Sequence, residues 1–254
     1  MTYKAYAKVN IFLKIVGTRG DYHEICSRFI LVDTLFDTLC FVPKKNDVDF
    51  ELSGDFGCEL EQNTIYKAFT ALCEAGFKEG IKEIFSKNAL HVEKNIPSFA
   101  GLGGGSSDAA TFLHMVNKKA NLGLSSVELA NIGLKVGADV PFFIYGYTSA
   151  NVSGIGEVVE KFNEEPLSIE VFTPNIKCDT GIIYKTFRRE CKIETTLANK
   201  MKELSSKTLL QAYSDTELND LLEAALKVDK NINKYRKKDW FFSGSGSSFF
   251  RVKG

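Results

Sequence analysis

Nowhere in this 254-residue chain do about eighteen apolar side chains run together, so no membrane-spanning helix is expected. The opening stretch, MTYKAYAKVNIFLKIVG, alternates and carries lysines, and it lacks the uninterrupted apolar core of a signal peptide. A cytoplasmic protein is expected. Excess charge is missing as well: 32 Lys and Arg balance 32 Asp and Glu. That balance argues against a general attraction to nucleic acid or to an acidic membrane surface. No C-x-x-C pair occurs among the 6 cysteines, and there are only 3 histidines, which argues against a zinc or iron–sulfur site. Reduced and mostly buried thiols are expected instead. There is no internal repeat and no low-complexity tract. Arg19-Gly20-Asp21 would suggest adhesion in a secreted protein, but without a secretion signal it reads as a turn. What the chain does have is a hydrophobic content of 44%, enough for one large domain or two modest ones.

From Ala5 to Ile15 the odd positions are apolar, while Lys8, Asn10 and Lys14 fall on even ones, so a strand puts those three on one face; Phe12 interrupts the alternation. GTRGDY reads as a turn, and RFILVDTLFDTLCFV has the β-branched and aromatic content of one or two further strands. Helical spacing follows over 63–74, with Ile65, Phe69 and Leu72 along one side. A short strand near 89–92 leads through Pro97 into AGLGGGSSDAAT, after which Ala109, Phe112, Leu113 and Val116 recur at helical intervals. Another helix over about 126–136 is stopped by Gly137, so Asp139 sits just past a helix end. FFIYGYTSANVSG and SIEVFTPN read as strands, and 200–211 and 217–227 as helices. The closing DWFFSGSGSSFFRVK reads as strand, Gly/Ser loop, strand. Strands and helices mixed without regular βαβ alternation favour an α+β fold, with a boundary near residue 150.

The glycine run bears chemistry. Gly101, Gly103, Gly104 and Gly105 permit positive φ and close backbone approach, and Ser106 and Ser107 stand at a helix start. Backbone donors plus the positive end of a helix make an anion site. It is not a Walker loop, for no lysine follows, nor the dinucleotide fingerprint, for Ser106 stands where the third glycine belongs. A flexible linker would not open directly into an amphipathic helix, so a phosphate cradle is the expectation.

Three segments in this order, AYAKVNIFLKIVGTRGDYHEI, IPSFAGLGGGSSDAA and FFSGSGSSFF, resemble the three motifs of the galactokinase, homoserine, mevalonate and phosphomevalonate (GHMP) kinase superfamily. With GADVPFF, the set most resembles the branch that acts on a cytidine diphosphate-linked methylerythritol in non-mevalonate isoprenoid synthesis. The resemblance implies a two-domain α+β fold. Its N-terminal GHMP kinase domain, 1–150, would be ribosomal-protein-like and carry the phosphate loop, and its C-terminal domain, 151–254, would be ferredoxin-like. It also implies ATP with Mg²⁺, and transfer of the γ-phosphate to the 2-hydroxyl of the erythritol.

Residue by residue, the resemblance makes Lys8 and Asp139 the catalytic pair and gives the phosphate loop Pro97, Ala100, Gly101, Leu102, Gly103, Gly104, Gly105, Ser106 and Ser107. Asn63, Lys94 and Thr64 fall where the family meets the adenosine of ATP, and Asn10, Tyr22, His23, Asp139 and Thr180 where it meets substrate, the tyrosine and histidine holding the cytidine base. Asn219 and Asp220 also match family positions. In two places the chain departs: a glycine commonly found between Asp21 and Tyr22 is absent, and Phe99 stands where smaller residues are common. The acid that helps to hold Mg²⁺ in some members has no clear counterpart, so no metal ligand is assigned. In this scheme Asp139 accepts the hydroxyl proton, Lys8 keeps it ionised, and the SGSGSS loop is a lid or brace over the first loop. Two other readings stay open: another small-alcohol kinase of homoserine or mevalonate type, and a non-catalytic module that uses the glycines to bind RNA phosphate. Tyr22-His23 separates the first from the leading reading, and the neutral charge together with Lys8 and Asp139 speaks against the second.

Overall fold

The computed structural model describes residues 1–253. In chain order the elements begin with two long strands, β1 (Thr2–Arg19) and β2 (Tyr22–Pro43), then β3 (Leu52–Ser53), α1 (Thr64–Leu72), α2 (Lys78–Lys87) and β4 (Asn88–Glu93). Next come α3 (Gly104–Lys119), α4 (Ser126–Leu134), α5 (Val140–Tyr145), β5 (Ser149–Gly154), β6 (Val158–Lys161) and β7 (Ile169–Phe172). The chain ends with α6 (Thr180–Glu190), α7 (Thr196–Glu203), α8 (Ser206–Ala212), α9 (Asp215–Leu218), α10 (Leu221–Val228), β8 (Phe241–Phe242) and β9 (Phe249–Val252). No helix among the described residues is long and apolar enough to cross a membrane.

Two compact units form, and they interleave in sequence in place of a single boundary near 150. The first comprises Met1–Ala7, Leu35–Ile96 and Gly104–Gly146; the second comprises Lys8–Thr34, Pro97–Gly103 and everything from Tyr147 onward. Strands β1 and β2 belong to both, which is why no one cut in the chain separates them.

In the first unit the C-terminal half of β2 pairs antiparallel with β4, Thr38 opposite Glu93 and Pro43 opposite Asn88, and β3 adds in parallel. The helices cover this sheet around an aromatic cluster. Phe50 stacks on Phe69 at 4.6 Å and lies 5.1 Å from Phe85, which meets Phe69 edge-on at 5.3 Å; such pairs each add about 0.5–1.5 kcal/mol beyond burial. In α3, Ala109, Phe112, Leu113 and Val116 are all buried, as their helical spacing demands. FFIYGYTSANVSG is not one strand. Pro141 in the first turn of α5 and Gly146, left-handed at φ +63°, bracket a short helix whose C-cap N–H returns to the Phe142 carbonyl, and only 149–154 is strand.

In the second unit the N-terminal half of β2 pairs antiparallel with β5, Ile25 opposite Gly154, and β5 pairs with β6. A separate sheet of order β7-β9-β8 buries Phe242, Phe249 and Phe250. Phe12 spoils the alternation of β1 because both faces there are covered: Lys8, Asn10 and Lys14 are as buried as their apolar neighbours. Each C-terminal helical stretch is broken once. Ser205 caps α8 after Leu204, and Asn219 separates α9 from α10.

Candidate active site

The glycine loop runs from the second unit into the first, the chain crossing between Gly103 and Gly104. In the second unit Gly101 and Gly103 have φ of +73° and +71°, which side chains with a Cβ resist. Space forbids one too: a Cβ on Gly101 would lie 2.2 Å from the Ser243 carbonyl oxygen. The reason is the second Gly/Ser loop, which lies against the first backbone to backbone. The Ser248 amide donates to the Ala100 carbonyl at 3.1 Å, and the Ser243 hydroxyl donates to the Gly101 carbonyl at 3.2 Å. Residues 243–248 thus brace this part of the loop. Asn219 fixes the brace in turn, its Nδ2 donating to the carbonyls of Phe242 and Gly244 at 3.0 and 2.9 Å. Asp220 anchors β1 through Lys14 and, at 2.8 Å, the Ile15 amide.

Lys8 enters the loop by its backbone, its N–H donating to the Leu102 carbonyl at 2.9 Å. Its ammonium donates to Asn10 Oδ1 at 2.7 Å and lies 4.5 Å from the centre of the Phe29 ring. Asn10 is held from both sides, its Nδ2 donating to Ser27 Oγ at 3.0 Å and its N–H accepted by Ser243 Oγ. A buried lysine directed by a buried asparagine that is itself held is fixed in place.

Also in the second unit, Tyr22 and His23 part company. Neighbours in a strand point to opposite faces, and Tyr22 is 63% exposed while His23 is 7% exposed. The ring beside His23 is that of Tyr184 on α6, with centroids 5.2 Å apart, and Phe187 meets it edge-on at 5.9 Å. His23 Nε2 is buried with no hydrogen-bond partner, a polar atom awaiting one. Burial, and then the nearby Arg188 charge, lower the His23 pKa, favouring the neutral ring. Tyr184 escaped the sequence reading. Its signal was the four-residue spacing from Thr180, which puts both on one helix face. Thr180 itself is tied to the brace, sharing a 2.8 Å hydrogen bond with Ser245.

In the first unit Gly104 opens α3 and is helical, so the run of glycines is not uniform: positive φ belongs to Gly101 and Gly103, and bare space to Gly104. A Cβ on Gly104 would lie 2.9 Å from Ile96 Cγ2 and 3.6 Å from Lys94 Nζ. Thr64 donates to the Gly105 carbonyl at 2.7 Å, and Asn63, buried, caps α1 by accepting from the Ile65 amide at 2.8 Å. The first-turn amides of α3 have no partner within their own helix. Asp139 precedes α5 without capping it. Its turn lies near the start of α3: a Cβ on Gly137 would stand 3.6 Å from Ser106 Oγ, an ordinary contact distance. Lys94 is engaged by two carboxylates, Asp37 and Asp108, the latter at 2.6 Å. Pro97 and Phe99 are exposed, Phe99 at φ +56° with its carbonyl accepting from the Cys178 amide. Among the described residues no group of three His, Cys, Asp or Glu side chains could hold a metal ion. All 6 cysteines are free, but only Cys26 and Cys178 are buried and Cys58 is exposed, so the expectation of mostly buried thiols fails.

Residues 63–147 match the family described as GHMP kinases N terminal domain. Over 99% of its length the chain is 56% identical to the 4-diphosphocytidyl-2-C-methyl-D-erythritol kinase of Sulfurimonas denitrificans, covering 96% of that protein. It is 50% identical to the enzyme of the same name from Sulfurovum sp., with 98% of each chain covered. Among solved structures, that of a 4-(cytidine 5′-diphospho)-2C-methyl-D-erythritol kinase, 28% identical, matches with a TM-score of 0.73 over 99% of this chain and 90% of the other.

Proposed function

The chain belongs to the 4-diphosphocytidyl-2-C-methyl-D-erythritol kinase family of GHMP kinases, and on that premise we propose that it moves the γ-phosphoryl group of ATP to the 2-hydroxyl of 4-diphosphocytidyl-2-C-methyl-D-erythritol, in the non-mevalonate isoprenoid pathway. The observation that carries the reading is the opening of α3. Its first-turn amides are backed by Gly104 and Gly105, and the turn bearing Asp139 lies near Ser106. Amides and the helix dipole there favour a triphosphate, and the nearness of the turn that carries Asp139 supports a role for that carboxylate in the transfer.

Phosphoryl transfer asks the protein for position and charge more than for covalent chemistry. Asp139 accepts the proton of the attacking hydroxyl. Lys8, aimed by Asn10, supplies the cation that favours the developing alkoxide. Residues 100–107 cradle phosphate through their amides and the hydroxyls of Ser106 and Ser107, with Pro97 leading the chain in and Asn63 and Thr64 toward the adenosine. Lys94 serves the nucleotide from behind, through the carboxylates it binds. His23 takes the cytosine, its unpartnered Nε2 and the Tyr184 ring supporting that role, with Tyr22 and Thr180 at the edge of the substrate. Mg²⁺ bound with the triphosphate would neutralise part of its charge during the transfer. The partners are small molecules, with no nucleic acid or membrane, and the protein works in the cytoplasm. Purified protein supplied with ATP and, in turn, the cytidylyl substrate, homoserine, mevalonate and galactose tests this. ADP should form with the first alone, and turnover of homoserine or mevalonate in its place would overturn the assignment.

A further inference from the structure

Behind the start of α3 lies a cluster of two buried carboxylates and one half-buried ammonium, with an odd charge count. Lys94, in the segment after β4, donates to Asp37 of β2 and to Asp108, the fifth residue of α3. Two carboxylates share one ammonium, so with all three ionised the cluster carries a net negative charge away from water, an unfavourable state that a single proton removes.

Geometry decides which carboxylate holds it. Asp37 Oδ1 accepts from the amides of Asn95 and Ile96 at 2.5 and 2.8 Å, and its Oδ2 binds Lys94, so both of its oxygens are occupied by donors. Asp108 has one donor, Lys94 at Oδ2, and the Asp37 carboxylate beside it; its Oδ1 is buried without a hydrogen-bond partner. The proton therefore belongs on Asp108. Burial acts the same way, raising its carboxyl to about 7 against the pull of Lys94. The other elements on α3 do not change the count. On α1, Tyr66 turns into the ring cluster with Phe50 and Phe69, and Lys67 is exposed; on α4, Glu128 closes the capping box with Ser125. Around α5 stand Tyr145 and, ahead of the helix, Asp139.

We propose that Asp108 is a positioning residue whose carboxyl gains a proton when a triphosphate binds at the start of α3, leaving Lys94 and Asp37 as a neutral pair behind the anion. The inference rests on ATP being the nucleotide. Lys94 Nζ approaches the space behind Gly104, at the mouth of the helix. An anion there meets a neutral cluster when Asp108 is protonated and a negative one when it is not, so it binds the protonated form better. By linkage, it then draws a proton in.

Titrating ATP into the protein by calorimetry at about pH 7.5, in buffers of different ionisation enthalpy, counts the protons. Wild type should take up a substantial fraction of a proton more than Asp108→Asn, the variant cancelling the nucleotide's own titration. ATP affinity should also fall about five- to tenfold more for wild type than for the variant between about pH 6.5 and 8.5. Equal uptake and parallel pH profiles, with ATP still bound, would overturn the proposal alone; failure of wild type to bind ATP would overturn the kinase reading with it. If Asp108→Asn does not fold, ¹³C-carboxyl NMR of wild type decides. A resonance titrating near pH 7 and moving up when ATP is added supports the proposal, whereas aspartates that all titrate below about pH 5 end it.

Discussion

At the scale of single residues the proposed chemistry separates cleanly into rate and binding. Asp139→Asn keeps the shape but loses the proton acceptor, so kcat should fall about 10²–10⁴-fold while KM for ATP moves little. Lys8→Met should do the same. The double variant should be scarcely slower than either single one, because two groups serving one proton transfer are not additive; steady-state and single-turnover kinetics on the three proteins check this. His23→Ala and Tyr184→Ala should act on the other term. Base stacking is worth about 1–3 kcal/mol, so each should raise KM for the cytidylyl substrate roughly five- to hundredfold and leave ATP affinity, read by calorimetry, nearly as it was. Equal losses of ATP binding would move these rings to the nucleotide. Much of this was legible in the sequence, because Lys8, Asn10 and Asp139 sit in short motifs. The partner of His23 was not: strand alternation sends Tyr22 the other way, and the ring that takes its place lies on a helix 161 residues further on in the chain.

At the scale of elements, glycines adjacent in sequence answer to different physical demands. Gly101 combines a left-handed backbone with a carbonyl 2.2 Å from any Cβ. Gly101→Ala should therefore cost about 3 kcal/mol and lower Tm by roughly 6–12 °C, measurable by scanning calorimetry. At helical Gly104 the backbone is unstrained and the obstacle is a side chain, Cγ2 of the buried, β-branched Ile96 at 2.9 Å. Gly104→Val should be milder for stability and severe for ATP affinity, the reverse order. The sequence announced that the loop opens a helix, and α3 begins at Gly104. It did not announce which glycines were bent, because φ there is set by the brace at 243–248, far along the chain. The short helix α5 was hidden for a related reason. Its aromatic, β-branched content suits a strand, and only Pro141 and Gly146, one at each end, select the helix. Asn219→Ala should loosen the brace: two buried carbonyls lose their donor, at about 1–3 kcal/mol, and hydrogen exchange at residues 243–248 should quicken before the protein unfolds.

At the scale of the whole molecule, this GHMP kinase fold has a stability that is tied to acidity through Asp108. The folded carboxyl holds its proton to about pH 7, while in the unfolded chain it would release it near pH 4. The native state thus binds the extra proton, and this contribution to stability falls as pH rises from about 4 to 7. Asp108→Asn should flatten that slope, so its melting temperature should drop less between about pH 5 and pH 8 than that of the parent. The composition hinted at two bodies of modest size, and two compact units exist; what it hid was their interleaving, since contacts between distant segments leave no periodic trace. The interleaving also sets a timetable for the ribosome. Ile25 must wait for Gly154 to be made before its sheet partner exists, a delay on the order of ten seconds at about 5–20 residues per second. Throughout that interval the edge of β2 at Ile25, Phe29 and Ile30 is an open strand, and mispairing competes with folding.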